Sequence, residues 1–166
     1  MAKLRGATVF VTAGTVEKRA TAISRGADYA FDYAQGAYAD QIRDVNGGNG
    51  VDVVFDSVGK ATLRDSFRAC RKHRLVVNYG NVSGSITDLD PIELGEAGSL
   101  FLTRPRLADH RVSREMAQHR ADHVFAALLN RSIQVNIDGY YSLDNVEKAH
   151  ARIENREQVG KPILHI

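Results

Sequence analysis

Five short segments carry most of the residues that could do chemistry. They are TAGT (Thr12 to Thr15), DY (Asp32, Tyr33), DSVGK (Asp56 to Lys60), NYGNVSG (Asn78 to Gly84) and TRP (Thr103 to Pro105). Each follows directly on an apolar run. Glycine, hydroxyl and small side chains dominate, and they let a backbone come close to a flat or phosphorylated ligand. Glycine and serine are also ordinary turn residues, so one such loop says little. Five of them at matching ends of successive runs read as a ligand-binding edge. The first loop is the most specific. Thr12 and Thr15 offer hydroxyls, and Lys18 and Arg19 follow in the first turn of a helical pattern. Helix N-termini favour anions. In a dinucleotide-binding unit, an acid near the end of the second strand bonds the free ribose 2′-hydroxyl. TAGT contains no acid. If this is a second strand, the pocket suits a 2′-phosphate, and so NADP(H) rather than NAD(H). The alternative is that Lys18 and Arg19 are solvent-facing helix charges.

Other chemistry finds less support. His119 and His123 stand four residues apart and would share a helical face, but no set of Cys, Asp or Glu completes a metal site around them. There is no G-x-S-x-G nucleophile elbow. Cys70, the single cysteine, rules out an intrachain disulfide and sits in a helical amphipathic pattern, which reads as core packing. The basic cluster RACRKHR (Arg68 to Arg74) reads as a solvated helix end, with contact to a polyanion as the alternative. Nucleic-acid binding there is disfavoured because no aromatic residues interleave. The net charge of +2 calls for neither nucleic acid nor a membrane surface. No apolar run nears the ~20 residues of a membrane helix, and MAKLRGATV lacks a secretory apolar region. The expectation is a cytoplasmic protein.

The elements that must position these loops alternate regularly along the 166 residues. ATVFVTA, DYAFDY, VDVVFDSVG, RLVVNYG, SLFLTRP, IQVNIDGYY and KPILHI read as strands or extended segments. VEKRATAISR, YADQIRDVN, KATLRDSFRAC, the stretch from Ser113 to Asn130 and DNVEKAHARIEN read as helices. Val16, Ala20 and Ile23 mark the apolar face of the first helix. Asp144 is a candidate N-cap for the last, with Glu147 three residues on. VDVVFDSVG is apolar almost throughout, as in a parallel strand covered on both faces. The β-α rhythm predicts an α/β fold, a doubly wound parallel sheet of Rossmann-like type. It loosens near Gln134, which divides a nucleotide-binding domain (1–133) from a C-terminal segment (134–166).

VDVVFDSVGKATLRDSF, VVNYGNVSG and GSLFLTRP closely resemble the quinone oxidoreductase (zeta-crystallin-like) branch of the medium-chain dehydrogenase/reductase family. GADYAFDY, GGNGVDVVFDSVG and the tail YYSLDNVEKAHARIENREQVGKPILHI match it in the same order. The resemblance implies a zinc-independent, NADPH-dependent enzyme that reduces quinones or activated alkenes such as enones by direct hydride transfer. No side chain is firmly required as the general acid. It also implies site roles. Lys18 would neutralise the 2′-phosphate and Tyr33 would pack on or bond to the adenosine part. Ser57 would lie beside the cofactor, and Gly80 and Asn81 would approach the nicotinamide ribose. Phe101, Leu102 and Thr103 would offer backbone groups to the carboxamide, and Lys161 would lie near the pyrophosphate. A homodimer through the edge strand Ser99 to Arg104 is implied as well.

The resemblance further implies parts that this sequence does not contain. These are an N-terminal catalytic domain, the first strand, its glycine-rich phosphate loop and most of the first helix, of which MAKLRGA resembles the end. TVFVTAGT would then be the second strand of a sheet truncated at its N-terminal end. Such a sheet could close its gap by pairing TVFVTAGT with VDVVFDS, or admit PILHI between them. Two functions follow. One is an NADPH-dependent quinone oxidoreductase, present as a fragment or truncated form. The other is a non-catalytic nucleotide-binding or dimerisation module.

Overall fold

The computed structural model describes residues 1–166. The chain divides into two compact units, Ala2–His119 and Arg120–Ile166 with Met1. The first unit holds strands β1 (Phe10–Thr12), β2 (Tyr29–Phe31), β3 (Val51–Asp56), β4 (Cys70–Asn78) and β5 (Phe101–Thr103). Between them run helices α1 (Val16–Ser24), α2 (Tyr38–Val45), α3 (Leu63–Ala69) and α4 (Ile92–Glu96). Helix α5 (Arg114–Leu129) begins at the end of this unit and continues into the second. The second unit also holds β6 (Ile137–Ser142), α6 (Val146–Glu154) and β7 (Lys161–His165). All strand pairs are parallel, as the alternating pattern requires.

The strands do not form one sheet. β1 pairs only with β2, β3-β4-β5 form a second sheet, and β6 pairs only with β7. Neither expected repair of the central gap occurs: TVFVTAGT does not pair with VDVVFDS, and PILHI does not enter between them. Apolar seating explains the first result. Phe10 of β1 and Val51 and Val54 of β3 all pack on the cluster of Tyr38, Ala39, Ile42 and Ala69. Helix α2 thus positions both strands without a hydrogen-bond ladder between them. The chemistry of Pro162 explains the second. Proline has no N–H and is confined to strand edges or ends, and here it sits opposite Gly139 in the two-stranded β6-β7 pair.

The β3-β4-β5 sheet buries one face. Val54, Val76 and Leu102 lie in register and pack with Leu63, Phe67, Cys70 and Leu100. The other face is not covered as the apolar run in β3 predicts. Val53 is 43%, Phe55 69% and Phe101 65% exposed. Period-two alternation puts these side chains opposite the buried row. Helix α1 departs likewise, since none of its residues is buried and Val16 is 74% exposed. Cys70 is buried as expected, but it opens β4 rather than closing a helix. Burial raises its thiol pKa. Asn145 rather than Asp144 occupies the N-cap position of α6, after a 3-10 turn over Leu143–Asn145, and no side chain caps it.

In the second unit, Arg152 of α6 forms a fork to Asp138 of β6, with its Nη2 3.1 Å from Oδ1. The same Oδ1 accepts the Val159 N–H at 2.9 Å. This carboxylate therefore joins helix, strand and the turn before β7.

Three surface carboxyls in the first unit are held below the usual range. Asp28 is lowered chiefly by its hydrogen bond from Lys3, Asp52 by that from Arg74, and Glu93 by that from Arg64. A lowered folded-state pKa stabilises above the unfolded value, and the gain is lost as pH falls through the folded one. Exposed pairs contribute little each. The melting temperature is therefore expected to be level above about pH 5 and to decline below about pH 4. The decline is expected to be shallower in Asp52→Asn. A scan by circular dichroism checks this, and a decline of wild-type slope in Asp52→Asn would remove Asp52 from the account.

Candidate functional site

The carboxyl end of β3 is organised around one buried carboxylate. Asp56, 4% exposed, accepts the backbone N–H groups of Val58 and Gly59 on Oδ1, each at 2.9 Å. Thr62 Oγ1 donates to it at 2.9 to 3.0 Å and Ser66 Oγ at 2.9 Å. Tyr38 extends the network from α2. Its hydroxyl lies 3.2 Å from both the Thr62 carbonyl oxygen and Ser66 Oγ, and burial pushes its pKa up to about 12. The consequence is a fixed turn: Asp56 ties the loop Ser57–Gly59 to the start of α3.

A second loop packs on this turn. Asn78, also buried, donates from Nδ2 to the Gly80 carbonyl at 3.0 Å, and Arg104 Nη1 donates to the Asn78 carbonyl at 3.0 Å. Ser83 Oγ donates to the Val58 carbonyl at 2.8 Å and accepts the Ala61 N–H at 2.9 Å. Backbone meets backbone here. A Cβ at Gly80 would lie 2.1 Å from the Ser57 carbonyl oxygen, and one at Gly59 would lie 3.0 Å from Asn81 Cα. The structure thus brings Ser57, Gly80 and Asn81 together. Thr103 stands beside Val77 in register, so the Phe101, Leu102 and Thr103 backbone flanks the end of β4.

The TAGT turn forms a separate edge at the ends of β1 and β2. Thr15 is the N-cap of α1, and its Oγ1 accepts the Lys18 N–H at 3.2 Å. Arg19 Nη1 bonds the Ala13 carbonyl at 3.2 Å and lies 2.8 Å from Asp32 Oδ2. It straps the turn to β2 and neutralises the acid nearest to it. Lys18, in the same first turn, is half-buried like Arg19. Tyr33 covers the turn, and a Cβ at Gly14 would lie 3.2 Å from its hydroxyl. Thr12, Thr15, Lys18 and Tyr33 are therefore neighbours. Lys161 belongs to the second unit, where its N–H bonds the Asn136 carbonyl at 2.8 Å.

Sequence reading included Asp56, Asn78 and Arg104 only as members of loops and missed their organising roles. It missed Tyr38, Thr62 and Ser66 altogether. One signal was available: a carboxylate at the end of an apolar strand, followed six and ten residues later by hydroxyls. No group of three or more His, Cys, Asp or Glu residues stands close enough to hold a metal ion.

A parallel α/β unit whose strand ends carry two interlocked glycine loops and a threonine-capped turn has the architecture of a Rossmann-like nucleotide-binding domain. Residues 1–121 match the zinc-binding dehydrogenase family, and the chain belongs to it. Its relatives are those the sequence resemblance points to. Over 165 residues it is 31% identical to quinone oxidoreductase 1 of Escherichia coli, covering 98% of this chain and 50% of that protein. It is 33% identical to 2-haloacrylate reductase of a Burkholderia species over 160 residues, 96% of this chain and 48% of that one. The crystal structure of the Escherichia coli quinone oxidoreductase complexed with NADPH superposes with a TM-score of 0.93 at 30% identity, covering 99% of this chain and 51% of that one. The chain spans about half the length of the curated relatives it matches. The residues present do not fit the zinc of the family's description. No helix is long and apolar enough to cross a membrane.

Proposed function

We propose that this chain is the NADPH-binding half of an oxidoreductase that reduces quinones or activated alkenes. The observation that carries the reading is the interlock of the two glycine loops. Gly80 lies so close to Ser57 that no side chain could intervene, which leaves a smooth backbone ledge at the strand ends. The arrangement fits the cofactor. Thr12, Thr15 and Lys18 would hold the 2′-phosphate, with Arg19 absorbing the charge of Asp32. Tyr33 would pack on the adenosine. Ser57, Gly80 and Asn81 would line the ribose and nicotinamide, and the backbone of Phe101, Leu102 and Thr103 would orient the carboxamide. Lys161 would lie near the pyrophosphate. When bound, reduced nicotinamide supplies a hydride to the substrate. The residues of this chain bind and orient, and none is assigned a proton-transfer role. The relatives' names, a quinone oxidoreductase and a haloacrylate reductase, support the substrate class. Homodimerisation through Ser99 to Arg104 is part of the reading, supported by the open edge of β5 and the exposure of Phe101.

Comparing NADPH with NADH by fluorescence titration of the full chain tests the cofactor assignment. NADPH is expected to bind more tightly, and Lys18→Glu to weaken NADPH about tenfold while leaving NADH unchanged. Equal affinity for the two cofactors would remove the 2′-phosphate site. A second reading, a non-catalytic nucleotide-binding or dimerisation module, is favoured by the unpaired edges of β1 and β3. Steady consumption of NADPH with a quinone by this chain alone decides against it.

A further inference from the structure

The basic cluster Arg68 to Arg74 is not the solvated helix end that its composition suggests. Helix α3 stops at Ala69, and the next residues belong to β4. Between the pairs Val51↔Cys70 and Val53↔Leu75, β3 advances two residues while β4 advances five. Three extra residues therefore loop out of β4, an enlarged version of the bulges that re-aim side chains next to sites. His73 turns the loop in the left-handed region, at φ 58°. Its N–H bonds the Gly98 carbonyl at 2.9 Å. Lys72 Cγ would lie 2.9 Å from a Cβ at Gly98. The loop is thus clamped from one side by a position that must be glycine.

The clamped loop lines an open surface cavity of about 490 Å³, with Arg43, Gly48, Gly50, Arg71, Lys72 and Arg74 among its lining. That volume lies within the range of small-molecule sites. Four of these residues are cations, and two of them share one carboxylate. Asp52 Oδ1 takes Arg74 Nε at 3.0 Å and also Arg71 Nη2. Arg43 spends its guanidinium on carbonyls, Arg68 at 2.7 and 3.2 Å and Cys70 at 3.0 Å, so its charge is not neutralised. Lys72 has no carboxylate partner. The arginines are already oriented, which lowers the ordering cost of binding, and guanidinium groups suit phosphate oxygens.

We propose that this cavity is a second anion site, which takes a small molecule carrying a diphosphate group. Cations spread over α2 and the β4 loop suit two phosphoryl groups better than one. A concave wall without aromatic residues argues for a small molecule over nucleic acid. Because β4 runs from this loop to Asn78, the site lies at the opposite end of the strand from the Gly80 ledge.

Isothermal titration of the full chain with inorganic pyrophosphate, at constant ionic strength, tests the proposal. Saturable binding is expected, weakened about tenfold or more by Lys72→Glu and by Arg74→Gln, and unchanged by Lys18→Glu. Lys72→Met keeps the stem against Gly98 and is expected to weaken binding too, which separates loss of charge from loss of fold. Absence of saturable binding overturns the proposal. So does binding that survives the Lys72 variants but is lost in Lys18→Glu, since the anion would then occupy the TAGT edge. Displacement of pyrophosphate by duplex DNA at lower phosphate concentration would replace the small molecule with nucleic acid.

Discussion

Gly80→Ala is expected to destabilise the first unit by about 3 kcal/mol or more and to abolish NADPH binding, the largest effect of any methyl-sized change at the proposed cofactor edge. The added Cβ would lie 2.1 Å from the Ser57 carbonyl oxygen, 2.7 Å from its carbon and 2.8 Å from its Cα. Flexible side-chain ends can move aside, but these are backbone atoms. Ser57 cannot retreat easily, because the N–H groups of Val58 and Gly59 are fixed on Asp56. Gly80 cannot retreat either, because Asn78 Nδ2 holds its carbonyl. The two loops must therefore separate, which breaks one or both sets of bonds. Urea denaturation of wild type and variant, with NADPH titration of each at low urea, measures both effects. A variant within about 0.5 kcal/mol of wild type would mean that the loops are not in contact as described.

Asp56→Ala is expected to cost about 3 to 5 kcal/mol, a large share of the ~5–15 kcal/mol that holds a domain folded. The substitution removes the acceptor shared by two backbone N–H groups and the hydroxyls of Thr62 and Ser66. Thr62, Ser66 and Asp56 are each no more than 5% exposed, so water cannot readily replace the lost partner. Asp56→Asn keeps the shape and one acceptor but turns an NH2 toward donors, and should cost about 2 kcal/mol. Combining Asp56→Ala with Ser66→Ala gives a double-mutant cycle. Because Ser66 then has no donor to satisfy, the pair should cost less than the sum of the singles. Strict additivity would break the claimed network. The same variants should loosen the Ser57 turn, so NADPH affinity should fall with stability rather than independently of it.

The parallel α/β architecture was legible because its cause is local. Apolar runs such as VDVVFDSVG and amphipathic runs such as YADQIRDVN alternate, and a parallel sheet is the arrangement that buries both. The positions of the chemically interesting loops were legible for the same reason, since strand ends follow from strand runs. The roles inside those loops were less legible. Asp56 reads as one polar residue in a turn until folding brings Thr62, Ser66 and two N–H groups around it. Gly80 reads as turn chemistry until Ser57 is found against it. Lys18 and Arg19 read as like charges on one helical turn until folding brings Arg19 against Asp32.

The sequence by itself determined the alternation of strands and helices, where the glycine loops fall, and the family to which they belong. These follow from periodicity and ordered motifs, which act over a few residues. Only the tertiary structure decided how strands group. β1 and β3 each find seating on α2 without pairing to each other, and β7 goes to β6. Only it decided that the cluster passes from the end of α3 into β4 and bulges within residues 71–74, because a register shift is a relation between two strands. Composition carries no record of which atoms meet across a fold. That is set by packing between segments distant in the chain, as Gly98 on Lys72 and Gly80 on Ser57 demonstrate.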